Sequence, residues 1–203
     1  SFAKDYAKLL KDVSKKGRKV VVCTIPNPLD TAYFSDLKTA AHILRTEVEF
    51  LREQYDLKAD DLIDLRGLTE IGFEFTARQL SGTAPEGTIL SASQAKTITS
   101  GIATLNRSIT GAAAAEGSVV FDLHAFFAEV ANDGAKVGDR TITGDFLDGF
   151  YLLNGVYPGR SGHALIANRL IDLLNREYGT DVKPVDIKAI AADDANLLSK
   201  VAD

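Results

Sequence analysis

KVVVCTI, residues 19–25, and GSVVFDL, residues 117–123, decide the fold. Each is a run of β-branched and apolar residues with no regular alternation of polar positions. A strand patterned in this way is buried on both faces, as the strands of a parallel sheet are. Cys23 lies inside the first run and reads as a small apolar filler, the usual behaviour of a free cysteine. Pro26 and Pro28 close that strand and open a loop, IPNPLDTAYFSD, over residues 25–36.

Working outward, Phe2, Tyr6, Leu9, Leu10 and Val13 recur at helical spacing and predict a helix over 2–16 that Gly17 stops. Leu37, Ala41, Leu44, Val48 and Leu51 predict one helix over 35–55. Residues 56–89 carry no dominant period: DDLIDLRGLTEIGFEF holds either a short strand or a turn of helix, and LSGTAPEGT reads as loop. Ser91, with Gln94 three residues on, has the capping-box pattern for a helix running to about Ala115. A short helix over 124–131 follows the second strand. Residues 132–149 read as loop with room for a hairpin. The next helix, 161–178, is expected to take Ser161 as its N-cap, and an amphipathic segment, 187–201, closes the chain.

The 203 residues, 21.8 kDa, suit one domain. A 45% hydrophobic, 25% charged chain with a mean hydropathy of -0.01 is an ordinary globular composition. The net charge of -5 lacks the basic footprint of a nucleic-acid binder; Lys15, Lys16, Arg18 and Lys19 read as cations at a helix end. A single cysteine excludes an intrachain disulfide. With no CxxC or HExxH, and three histidines far apart in sequence, no metal site can be argued and no cofactor is expected. The apolar stretches are too short to span a bilayer.

Helix, strand, helix, helix, strand, helix is an α/β pattern. Two parallel strands alone leave a sheet open at both edges, and the chain starts at Ser1 and contains no Met. The expectation is that residues 1–186 form the C-terminal portion of a larger α/β domain whose sheet an upstream polypeptide segment completes. Residues 187–203 are read as a C-terminal tail.

Residues 149–168, GFYLLNGVYPGRSGHALIAN, resemble the last conserved block of the SGNH or GDSL-type lipases and esterases. TIPNPLDTAYFSD resembles the loop after that family's fourth strand, SVVFDLHAFF its fifth strand, and LIDLLNREYGTDVKPV its final helix and exit. The resemblance implies a three-layer, flavodoxin-like α/β fold with a parallel sheet. It implies carboxylic-ester hydrolysis by a Ser-His-Asp constellation without a metal, on a small acyl-ester ligand. The chain departs from the pattern at the reacting groups. Asn154 stands at the family's Asp position and Tyr157 at its His position, and the block carrying the nucleophilic Ser has no counterpart.

Those substitutions change the chemistry. An imidazole with a pKa near 6.5 can take a proton from a hydroxyl at neutral pH, whereas a phenol with a pKa of about 10 is already protonated. Without an imidazole at residue 157, Asn154 has nothing to orient. The alternative to a hydrolase is therefore a catalytically inactive pseudoenzyme that acts as a ligand-binding or assembly subunit. Among other candidates, His124 follows a strand end, where ligands bind in open α/β sheets; it is either a substrate neighbour or a packing histidine. Tyr33 and Phe34 either line an acyl pocket or cover the edge of the core. Asp122 is either a functional carboxylate or a strand-end residue bonded to loop amides, His42 reads as a surface or packing residue, and His163, at the start of the last helix, is either catalytic, a support to site residues or a surface residue.

Overall fold

The computed structural model describes residues 1–195. Helix α1, Phe2–Val13, ends in a 3-10 turn, Lys15–Gly17, with Gly17 at a φ of +69° that suits a residue without a Cβ. Strand β1 is Val21–Cys23. A second 3-10 turn, Pro28–Asp30, leads to β2, Phe34–Asp36. Then come α2, Leu37–Leu44, α3, Val48–Tyr55, β3, Leu62–Asp64, and α4, Leu65–Ala77. They are followed by β4, Ile89–Leu90, α5, Ala92–Ala115, β5, Val119–Phe121, and α6, Leu123–Asn132. The hairpin β6, Ala135–Val137, and β7, Arg140–Ile142, precedes α7, Arg160–Tyr178, and α8, Ile187–Ala192.

The described residues form a mixed α/β structure with three small sheets. β1 and β5 pair in parallel with Val22 opposite Val120. β2, β3 and β4 form an antiparallel sheet in that order, and β6 with β7 forms the third. Leu10 of α1, Val22 of β1 and Ile109, Ala112 and Ala113 of α5 make one core, so the parallel pair is packed by α1 and α5. The long α5 starts as the sequence predicts: the Ser91 hydroxyl accepts the Gln94 N–H, and the Gln94 side chain accepts the Ser91 N–H in return.

Three expectations are corrected. The strand at 19–25 is not buried throughout: Val22 is, Val21 is partly covered, and Cys23 is exposed, because only β5 flanks β1 among the described residues. Partial burial still holds the Cys23 thiol above its ordinary pKa. The helix expected over 35–55 is two helices behind a strand. Asp36 caps α2 by accepting the Thr39 N–H at 2.7 Å, and Arg45, at a φ of +54°, turns the chain before α3. The bend lets Leu37, Ala40 and Ala41 share a core with Leu51, Tyr55, Ile63, Leu68 and Ile71.

Ser161 is not the N-cap of α7, a place taken by Gly159. It is fully buried in the first turn, where its hydroxyl donates to Asp194 at 2.6 Å. Beyond residue 186, Ile187 and Ala191 of α8 pack onto the aromatic core of Phe126, Phe127, Phe150 and Tyr151. The predicted segment 187–201 is thus helical over Ile187–Ala192, and residues 196–201 lie outside the described residues.

Candidate functional site

Polar side chains gather just beyond the C-terminal ends of β1 and β5. The Thr24 hydroxyl donates to Asp122 Oδ1 at 2.8 Å and accepts the His124 N–H at 2.8 Å, which ties the end of β1 to the start of α6. Asp122 caps that helix by accepting the Ala125 N–H. From α5, Asn106 accepts the Ile25 N–H at 2.7 Å and donates to the Ile25 carbonyl at 2.8 Å, holding the strand exit at both backbone groups. Asn27 then caps the Pro28–Asp30 turn through the Leu29 N–H and donates to Asp30 Oδ1 at 3.3 Å.

That turn packs against α6, the helix that carries His124. Burial pushes the Asp30 carboxyl above its ordinary pKa; the His124 charge and the Asn27 amide pull the other way without cancelling it. The Tyr151 hydroxyl donates to the Asp30 carbonyl at 3.2 Å and is itself raised, by burial and then by the Asp30 charge. Nδ1 of His124 is buried with no hydrogen-bond partner among the described residues. Leaving a buried polar atom unpaired costs roughly 1–3 kcal/mol, so a partner is expected there.

An open cleft of about 220 Å³ adjoins this cluster, lined among others by Leu29, Asp30, Phe34, Asp36, Asp145 and Phe146. It combines apolar and aromatic walls with carboxylates and hydroxyls. Phe34 lines it. Tyr33 instead braces the neighbouring elements: its hydroxyl donates to Asp64 at 3.4 Å, and its carbonyl accepts the Leu65 N–H at the start of α4.

Asn154 and Tyr157 lie in the neighbouring loop. Asn154 Oδ1 accepts the N–H groups of Val156 and Tyr157, at 2.9 and 3.0 Å, so its carboxamide oxygen closes a turn. The Tyr157 side chain is 66% exposed, beside an equally exposed Leu153. Between them Gly155, at a φ of +70°, lies so close to the backbone of Ala32 and Tyr33 that a Cβ there would sit 2.8 Å from the Tyr33 nitrogen. The two loops are therefore packed backbone to backbone.

Of the remaining histidines, His42 is exposed on α2, and His163, exposed on α7, donates from Nδ1 to the Gly159 carbonyl at 2.9 Å. Sequence reasoning missed Asp30, Asn27, Asn106 and Tyr151. For Asn106 a signal existed, a lone amide on the buried face of a long helix. Asp30 reads as an ordinary turn residue until β1 and β5 are placed side by side.

Among the described residues, no three His, Cys, Asp or Glu side chains are grouped to hold a metal ion, and no helix is long and apolar enough to cross a membrane. The chain matches no protein-family model, no curated protein and no solved structure.

Proposed function

We propose that the chain is part of an SGNH/GDSL-type hydrolase acting on carboxylic esters, with the cleft beside Phe34 taking the acyl part of the ester. One observation carries this reading. Three of the four segments that resemble the family meet in space: Gly155 lies against the backbone of Ala32 and Tyr33, and the His124 N–H at the β5–α6 junction is bonded to Thr24 at the end of β1. They meet beyond the C-terminal ends of parallel neighbours, where open α/β sheets bind ligands. In this reading β1 and β5 stand for the family's fourth and fifth strands in its three-layer, flavodoxin-like fold. An upstream polypeptide segment adds strands along the free edge of β1 and brings the serine nucleophile.

The test is hydrolysis of short p-nitrophenyl esters by the full-length protein, with labelling by a serine-directed fluorophosphonate. Turnover with labelling supports a serine hydrolase; neither, in a folded protein, removes the reading.

A second reading is favoured by the turn at Asn154 and the outward Tyr157: a pseudoenzyme that keeps a ligand-binding cleft, or an assembly subunit. Restoring the family pair with Asn154→Asp and Tyr157→His separates them. Activity that arises only in the double variant supports the inactive binding protein, and activity already present in the wild type supports the hydrolase.

A further inference from the structure

We propose that the hairpin over residues 150–159 is an interfacial docking loop, and that its tip, Leu152, Leu153, Val156 and Tyr157, seats the protein on a zwitterionic lipid surface. The proposal is independent of the hydrolase reading: it concerns where the chain docks, and its test reads no activity.

The hairpin is fixed at its base and apolar at its tip. Phe150 and Tyr151 are buried in the aromatic core with Phe126 and Phe127. Beyond them the Gly159 N–H donates to the Phe150 carbonyl and the Leu152 N–H to the Tyr157 carbonyl, each at 2.8 Å, with Tyr151 bridged to Pro158 between them. The Gly155 N–H on the Leu152 carbonyl closes the tip, together with Asn154 Oδ1, which accepts the Val156 and Tyr157 N–H groups. The N–H groups of Leu152, Gly155, Val156 and Tyr157 are thus all satisfied within the hairpin, as a loop leaving bulk water requires. The large side chains are not buried in return. Leu152 and Val156 are 40% and 41% exposed, and Leu153 and Tyr157 66%. Exposed apolar residues scattered singly are ordinary, but a group of them on one turn marks an interaction site.

The chemistry of the tip selects its occupant. A standard protein interface takes roughly 20–30 residues a side, far more than one hairpin tip offers. Shallow insertion at a lipid boundary needs only a few apolar side chains. Leucine and valine suit the acyl region, and a phenol keeps its hydroxyl among the headgroups. Charge then selects the lipid. Over residues 144–159 the charged side chains are Asp145 and Asp148, with no Lys or Arg, and the next residue, Arg160, is paired with Asp193. An anionic surface is repelled by such a stretch, and a zwitterionic one is not. The tip also adjoins the cleft, because Gly155 rests on the backbone of Ala32, which lines it. Docking by the tip therefore brings the cleft to the lipid boundary.

The chain contains no Trp, so Leu153→Trp in the full-length protein places a single indole at the tip. With phosphatidylcholine vesicles its emission is expected to shift to shorter wavelength and to be quenched by brominated acyl chains. The wild type is expected to co-sediment with the same vesicles, in low and high salt alike. Leu153→Asp and Val156→Asp are each expected to weaken that partitioning roughly 10- to 100-fold. Phe73→Asp, which removes a ring 69% exposed on α4, is expected to bind as the wild type does. An indole emission that does not move, or tip variants that bind like the wild type, overturns the proposal. Binding that needs phosphatidylserine or disappears in high salt overturns it too, because the attraction would then be electrostatic. A lipid-free dimer that Leu153→Asp dissolves would make the tip a protein interface and overturn it as well. If Leu153→Asp does not fold, Leu153→Ser takes its place and is read in the same way.

Discussion

Ser161 and Asp194 are joined twice: the Ser161 N–H and hydroxyl both donate to Asp194 Oδ2, at 3.0 and 2.6 Å. The serine is 0% and the aspartate 1% exposed, so water cannot replace either bond. The pair fixes the end of α8 to the first turn of α7, beside an ion pair between Arg160 and Asp193.

Hydrogen bonds to a charged group contribute about 1.5–3 kcal/mol. Ser161→Ala is therefore expected to lower unfolding stability by about 2 kcal/mol. Asp194→Ala should cost more, because it leaves both donors of Ser161 buried without that acceptor. Urea denaturation measures both, and midpoints equal to the wild type's would show that the anchor contributes nothing.

Gly155 permits the contact between the two site loops. A Cβ there meets the backbone of Ala32 and Tyr33, which cannot rotate away, and the φ of +70° disfavours any other residue. Gly155→Ala is expected to destabilise the protein by about 1–3 kcal/mol. It should also shift the amide resonances of Ala32 and Tyr33. Unmoved resonances would mean that the loops are not in contact in solution.

Asp30 carries a pH signature of defined sign. Its folded-state pKa lies above the ordinary 3.8, so the folded protein binds the proton more tightly than the unfolded chain does. Stability from this group is full below the unfolded value and falls as pH rises through the raised one. At neutral pH the ionised carboxylate is a cost. Asp30→Asn is expected to raise Tm at pH 7, with the gain vanishing toward pH 3. Lower stability at pH 7 would contradict the cost assigned to the carboxylate. Stability given up at a site is a common correlate of function.

Gly67 is a packing glycine. A Cβ at this position in α4 would lie 2.6 Å from both Cβ and Oγ1 of Thr88, which is 1% exposed. Gly67→Ala is expected to cost about 1–3 kcal/mol through overpacking. Pairing it with Thr88→Ser, which removes a methyl but keeps Oγ1, should recover only part of the loss.

Periodicity exposed the long elements, because α5 and α7 repeat their apolar faces over several turns. It misled at 35–55, where the stripe from Leu37 to Leu51 continues across a break made by Arg45 in a left-handed conformation that no glycine announces. β3 and β4, at three and two residues, are too short to show alternation. Ser161 has the chemistry of a cap, but its hydroxyl is claimed by a carboxylate 33 residues away. The candidate site shows the same limit. His124 follows a recognisable strand, whereas its relation to Asp30 exists only once two strands distant in sequence have paired.

The hydrogen bond from Thr24 to Asp122 spans 98 residues. Between those residues lies a second core, Leu37 to Ile71, covered by its own sheet and helices, and among the described residues every member of that buried cluster comes from within the interval. Loop-closure entropy makes distant pairings late, and a self-sufficient core can stay closed while such a pairing opens. The interval is therefore expected to open and close as a cooperative unit of its own, separate from the one that holds Thr24, Asp122 and His124. Hydrogen exchange is expected to follow that division, with Val22 and Val120 losing protection together while Ile63 and Leu51 keep theirs. The site would then be assembled last and released first, without loss of the inserted unit.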